Sequence, residues 1–202
     1  MNLISKSLLS FLAIIFVVSC SNSMDDADVQ QTVYFNQFIP CKAGPDYSAE
    51  TMKDFVAEWN ELVAVYDEMV WAGGYAPASG QQNGWWELQW TSKEAADAAW
   101  AEWESNEAAA AWTEKHAGVM QCDGPGRFKF DGIFPIEFET YGEKNPSGYF
   151  YSEFYGCKYK EGSGREDAEA FVEGFNNAVA EADYSETGYH YGNYFAHDTS
   201  TV

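Results

Sequence analysis

Four cysteines, three histidines and a concentration of tryptophan are the residues of this chain that could do chemistry. The cysteines are Cys20, Cys41, Cys122 and Cys157, and no two form a C-x-x-C pair, so a dithiol redox centre is not indicated. A nucleophilic Cys157 would need a base, and the sequence places no histidine beside it. His190 and His197, with Asp198 next to the second, give a weak metal signal. A haem or a transition metal needs an axial ligand or a cluster of ligands, so no metal and no cofactor is expected. His116 is expected on the surface or at the end of a helix, where a positive charge suits the helix dipole. The H-E-x-x-H, G-x-S-x-G, G-x-G-x-x-G and P-loop patterns are absent. Asp54 and Glu58 read as a solvated helix face rather than a general acid/base couple. No catalytic residue is assigned, and the balance leans away from an enzyme.

All eight tryptophans fall between Trp59 and Trp112. By strand parity Trp86 and Trp90 share one face and Trp85 takes the other. Large aromatics at regular spacing usually pack a core, but ligand pockets are aromatic-lined too, so both uses stay open.

The elements that must position these residues are written twice. At a constant offset of 116 residues, Phe38, Cys41 and Lys42 recur as Phe154, Cys157 and Lys158, Phe55 and Val56 as Phe171 and Val172, and Tyr75 as Tyr191. The first copy predicts a β-α-β-β-α-β order. Strand one is Val33–Pro40. Helix one runs from about Ser48, a candidate N-cap, to Tyr66, with Met52, Phe55, Val56, Trp59, Leu62, Val63 and Tyr66 along one face. Gly73-Gly74-Tyr75 leads to a second strand near Tyr75–Ser79. Strand three is Trp85–Thr91. Helix two starts near Ser92 and runs towards His116, with a bend or restart at Ser105-Asn106. Strand four is Arg127–Phe134. The second copy predicts a strand at Tyr149–Tyr155, a helix at about Arg165–Asp183 and a strand near Gly188–Ala196. The mate of Val202 is Trp86, inside strand three, so the second copy reads as incomplete: a truncated gene, or a half unit completed by another chain, of which truncation is preferred. The predicted organisation is 1–19 leader, 20–32 tether, 33–146 first unit and 147–202 second unit.

This order, with Trp90-Thr91-Ser92-Lys93-Glu94-Ala95-Ala96 followed by Trp100, Trp103 and Glu107 to Trp112, resembles the dimeric α+β barrel superfamily of ferredoxin-like domains, in its monooxygenase-like and stress-response members. The resemblance implies an α+β fold in which two units pack sheet against sheet into a barrel, within one chain as a pseudo-dimer or as a homodimer. It makes strands one and four antiparallel neighbours, and so implies a Cys41–Cys122 disulfide; Cys157 is then the mate of Cys41 with its own partner beyond the chain end. A Cys41–Cys157 bridge is the alternative. It also implies a pocket for which Tyr75, Trp86, Trp90 and Asn36 are the candidate lining.

The first twenty residues set the expected compartment. Lys6 precedes the apolar run Leu8–Val18, too short to span a bilayer and suited to a signal peptide. Val17-Val18-Ser19-Cys20 resembles the bacterial lipobox, which implies cleavage before Cys20, lipidation of Cys20 and a membrane anchor. Ser21 favours the outer membrane, facing the periplasm or the cell surface. Against 11 Lys+Arg stand 32 Asp+Glu, a formal net charge of −21. Such a surface repels phosphates, so nucleic acid is not an expected partner. Three functions fit: a non-catalytic envelope protein binding a small apolar or aromatic ligand or a protein partner, a cofactor-independent monooxygenase-like enzyme, and a structural or assembly protein of the envelope.

Overall fold

The computed structural model describes residues 32–78, 83–134, 150–181 and 191–197; Cys20, His190 and Asp198 lie outside the described residues. β1 (Thr32–Ala43) is rich in aromatic and β-branched residues, which suit a pleated, half-buried surface. α1 (Ala49–Val63) starts at Ser48. The Ser48 hydroxyl accepts from the Thr51 N–H at 3.1 Å and the Thr51 hydroxyl accepts from the Ser48 N–H at 2.9 Å, so two otherwise unpaired donors are satisfied reciprocally. β2 (Met69–Tyr75), β3 (Asn83–Trp90), α2 (Lys93–Ser105), α3 (Glu107–Lys115), β4 (Met120–Cys122), β5 (Phe128–Phe134), α4 (Arg165–Glu181) and β6 (Asn193–Ala196) follow. Asn106 stops α2 and caps α3, accepting from the N–H groups of Ala108 and Ala109. That restart turns Trp112 back onto Phe55, with ring centroids 4.5 Å apart.

The strand order is β2-β3-β1-β5-β6, with β4 also on β1, and the pairings are antiparallel. The first four strands of that path have the ferredoxin-like order, so the chain is α+β with a ferredoxin-like unit. β6, from the second copy, continues the same sheet beyond β5.

Three local expectations are corrected. The second strand is β2 at Met69–Tyr75 rather than Tyr75–Ser79: Gly73 and Gly74 are inside it, paired with Glu87 and Trp86, because cross-strand pairing outweighs the weak strand preference of glycine. β1 continues past Pro40 to Ala43, so Cys41 lies within the strand and is the direct cross-strand partner of Cys122. The two are joined by a disulfide, and Cys157 is free and exposed. Of the strand expected over Tyr149–Tyr155, Tyr149 lies outside the described residues, and residues 150–160 carry no strand. The sheet order explains this: a first strand pairs with strands three and four, and the mates of β3 and β5 are not among the described residues.

The helices of the first copy cover one face of the sheet. Phe35 and Ile39 from β1, Trp86, Leu88 and Trp90 from β3, and Phe55, Trp59 and Val63 from α1 make one buried cluster. α4 adds a smaller one, Val172 against Ile133 and Phe195. Each such side chain removed from water stabilises by roughly 1.5–3 kcal/mol.

Candidate functional site

The other face, here the inner face, carries polar groups. In antiparallel pairs, partnered residues point the same way. Asn36 pairs with Gln89 and with Phe130, Phe38 with Glu87, and Gly132 with Tyr194. These residues therefore share the inner face, while Trp86, Leu88 and Trp90 alternate to the helix side.

Glu87 is the centre of this face. It is 1% exposed, and its carboxylate accepts from Asn36 Nδ2 at 2.6 Å, the Tyr75 hydroxyl at 2.6 Å and the Tyr194 hydroxyl at 3.0 Å. A buried charge is costly unless paired or hydrogen-bonded, and three donors supply that compensation in part. Burial pushes the Glu87 carboxyl above its ordinary range, while the bonds from Tyr75, Asn36 and Tyr194 pull the other way without cancelling it. Burial and the adjoining carboxylate hold the Tyr194 phenol far above its usual value. The donors come from β1, β2 and β6, so one side chain on β3 ties four strands and both copies together. Gly132 is required beside it, since a Cβ there would run into Asn36 Oδ1.

Gln89, two residues along β3, is fully buried, and neither its amide nitrogen nor its oxygen has a hydrogen-bond partner. Asn36 Oδ1, on its cross-strand neighbour, is also without one. Around them Phe38 is ringed by Phe130, Tyr194, Phe154 and Tyr75, at 5.6, 5.3, 5.7 and 6.3 Å between centroids. The arrangement is a patch of buried hydrogen-bonding groups in an aromatic surround. It offers shape, stacking and three polar atoms that seek partners, with a carboxyl group whose proton is held more tightly than usual.

Of the four residues expected to line a pocket, Asn36 and Tyr75 are brought together on Glu87. Trp86 and Trp90 are not: parity sends them to the helix side of the sheet, where both are buried in the core. Trp90 Nε1 donates to Gln37 Oε1 at 3.2 Å there, beside Trp100 Nε1 at 2.7 Å. Glu87, Gln89 and Tyr194 were not foreseen. The available signal was the pair of polar interruptions, Asn36-Gln37 and Glu87-Leu88-Gln89, in strands otherwise rich in aromatics.

The two described histidines are occupied elsewhere. His116 caps α3 as expected but is buried rather than on the surface, its Nε2 2.9 Å from Glu58 Oε2, with Phe55 and Trp112 against the ring. Glu58, which also accepts from Lys115 at 2.5 Å, is therefore not a free solvated acid. His197 pairs with Asp131, which also accepts from Arg165 Nη2 at 2.6 Å. Among the described residues no group of three or more His, Cys, Asp or Glu is placed to hold a metal. An open groove of about 430 Å³ runs beside the disulfide, lined by Pro40, Lys42, Trp85 and Gln121, at the sheet edge and outside the Glu87 cluster.

With this geometry established, the chain can be set beside known proteins. No family model and no curated protein matches it. Solved structures do match half of it. A Chloroflexus aurantiacus J-10-fl protein described as an antibiotic biosynthesis monooxygenase is 11% identical, with 48% of this chain and 89% of that one covered and a TM-score of 0.34. A Bacteroides thetaiotaomicron VPI-5482 protein of unknown function, described as a possible oxidoreductase, is 10% identical over 50% of this chain and 98% of that one, with a TM-score of 0.33. The structural-genomics protein YJCS is 12% identical over 48% and 95%, with a TM-score of 0.34. The ferredoxin-like assignment rests on strand order and register; these likenesses add nothing about activity.

Proposed function

We propose that this chain is an exported, lipid-anchored protein that binds a small aromatic molecule on the inner face of its sheet, beside Glu87. The observation that carries the reading is Gln89, fully buried with neither end of its amide bonded. Burying an amide without partners costs about 1–3 kcal/mol on protein scales, and a ligand edge with one donor and one acceptor removes that cost. The rings about Phe38 supply the stacking surface. The lipobox-like sequence ending in Cys20 supports an anchor at the cell envelope, and Ser21 favours the outer membrane.

Thermal shift and native mass spectrometry over a panel of neutral aromatic metabolites test the binding. A ligand at a hundredfold its Kd stabilises by about 2.7 kcal/mol, so a clear rise in Tm is expected for the wild type and a loss of that rise in Gln89→Leu. If no compound shifts the wild type and Gln89→Leu is simply more stable, the inner face is only core. Intact mass of the membrane-fraction protein, with diacylglycerol on Cys20 and its loss in Cys20→Ala, tests the anchor.

A second reading has its own observation. A carboxyl group raised by burial and bonded to two phenols is a candidate general base, as a cofactor-independent oxygenase would use. Oxygen uptake with phenolic substrates, abolished in Glu87→Gln, would support it. Binding is preferred because all three donors already occupy the carboxylate.

A further inference from the structure

The groove beside the disulfide has a floor of three strands, and their register decides which side chains stand in it. Asn83, Lys42 and Gln121 form one cross-strand row, and Gly84, Cys41 and Cys122 form the next. Trp85 pairs with Pro40 in a third row, where the Asp123 N–H donates to the Pro40 carbonyl at 2.9 Å. Partnered residues point the same way, and alternate residues of a strand return to the same face. Pro40, Lys42, Asn83, Trp85, Gln121 and Asp123 therefore line one surface, at the end of the inner face beyond Glu87. Cys41 points the other way, into the core.

Of the eight tryptophans, all among the described residues, Trp85 alone is exposed, at 41%. The Phe128 ring lies against it, with centroids 5.4 Å apart, so the indole is held as a platform rather than left to swing. Hydrogen-bonding groups surround it. Lys42 and Asn83 are exposed, and their side chains bond to no protein group among the described residues. Gln121 donates from Nε2 to the Ala117 carbonyl at 3.3 Å, which leaves its own carbonyl oxygen to accept. Asp123 Oδ1 accepts from the Gly126 N–H at 2.9 Å, which leaves its second oxygen. The floor beneath them is stiff. The disulfide joins β1 to β4, and Gly84 packs so closely on the Tyr75 carbonyl that a Cβ would collide with it. A surface ordered before binding loses little freedom on binding.

We propose that this groove is a second binding site, for a neutral saccharide whose C–H face stacks on Trp85 and whose hydroxyls bond to Lys42, Asn83, Gln121 and Asp123. A pyranose ring has an apolar C–H face and a rim of hydroxyls, each both donor and acceptor. One aromatic wall with a polar rim answers both parts of it. The volume of about 430 Å³ lies within the range of small-molecule sites. A flat aromatic ligand would cover the polar rim without bonding to it, and is better served around Phe38, where rings stand on several sides. An anion is disfavoured too. The Lys42 ammonium is balanced by the Asp123 carboxylate within the groove, and the chain as a whole carries a formal charge of −21. The groove is open on one side, so the affinity is weak, in the millimolar range.

The test is a titration of the isotope-labelled full chain, held in lipid nanodiscs, with maltose, cellobiose and N,N′-diacetylchitobiose, following indole and backbone N–H signals by NMR. The Trp85 indole signal is identified by its loss in Trp85→Ala. It is expected to move saturably with at least one of these sugars, together with the backbone signals of Lys42 and Gln121. Read on those backbone signals, Trp85→Ala is expected to weaken binding roughly tenfold, the loss expected when the anchoring aromatic of a contact is truncated. Trp85→Phe, which keeps a ring and guards against a folding defect, is expected to retain most of the affinity. Phe171→Ala, which removes a 72% exposed ring elsewhere, is expected to change nothing. No saturable movement with any of the three sugars overturns the proposal. So does equal affinity in Trp85→Ala, and so does tighter binding of glucuronate or indole than of the neutral sugars. An aromatic ligand beside Glu87 is read on Gln89 instead, so the failure of either site leaves the other standing.

Discussion

α1 and α4 occupy equivalent places in the repeat and meet different surroundings. Phe55 and Trp59 lie buried beneath Trp86, while Phe171 is largely exposed and Phe175 half-exposed against the Tyr191 ring, on a helix held by its neighbouring stripe, Val172 and Asn176. The same contrast separates β1, paired with β3 and β5, from residues 150–160, which carry no strand, and Cys41, bonded, from Cys157, free. In each case the residue type is kept and the partner decides. An amphipathic face announces that it needs covering, and it forms its intended structure only when the cover is present.

The comparison breaks most readily at the helix pair. Phe55→Ala is expected to cost about 3–5 kcal/mol in urea unfolding, because it opens a cavity among Trp59, Trp86 and Trp112. Phe171→Ala is expected to stay within about 0.5 kcal/mol, as an exposed site should. Comparable losses at the two positions would erase the distinction. The cysteines come next. Cys122→Ala releases a cross-link between residues 81 apart, with an expected cost of about 2–4 kcal/mol, while Cys157→Ala leaves the unfolding midpoint unchanged.

Two carboxylates sharpen the contrast through pH, with opposite signs. The Glu87 carboxyl is raised by burial, so the folded chain holds its proton after the unfolded chain has lost it. Stability therefore falls as pH climbs from the ordinary glutamate value of 4.5 through the raised one. Glu87→Gln is expected to lose that fall while shifting stability at neutral pH by about 1 kcal/mol; urea midpoints across the acid-to-neutral range check it. At Asp131 burial would raise the carboxyl, but the bonds from Arg165 and His197 outweigh it and the value is lowered. Its contribution is present above the ordinary aspartate range and disappears as pH falls through the lowered value. Because this site is partly exposed, Arg165→Gln is expected to cost less than about 1 kcal/mol. Limited proteolysis should show that cost as earlier release of α4, with the first copy intact.

Much of the first copy was legible in the sequence. Ser48, Ser92 and Asn106 cap helices as their positions suggest, and the Phe55–Trp59 face packs as its spacing requires. Cys41 and Cys122 could be paired once strands one and four were taken as neighbours. The inner face was not legible, because Glu87 meets Asn36 through a cross-strand register and Tyr194 from 107 positions along the chain. Trp86 and Trp90 were assigned to a pocket because aromatic spacing is the same for core and lining. β2 was misplaced because its glycines looked like a turn, and only pairing with β3 makes them a strand.

Hydrogen exchange on the 202-residue chain tests the contrast between the copies most directly, by comparing Phe35–Cys41 of β1 with their mates at 151–157. The account predicts that the β1 amides exchange only through global unfolding, while those of 151–157 exchange within about tenfold of an unstructured peptide. Equal protection of the two segments would contradict it.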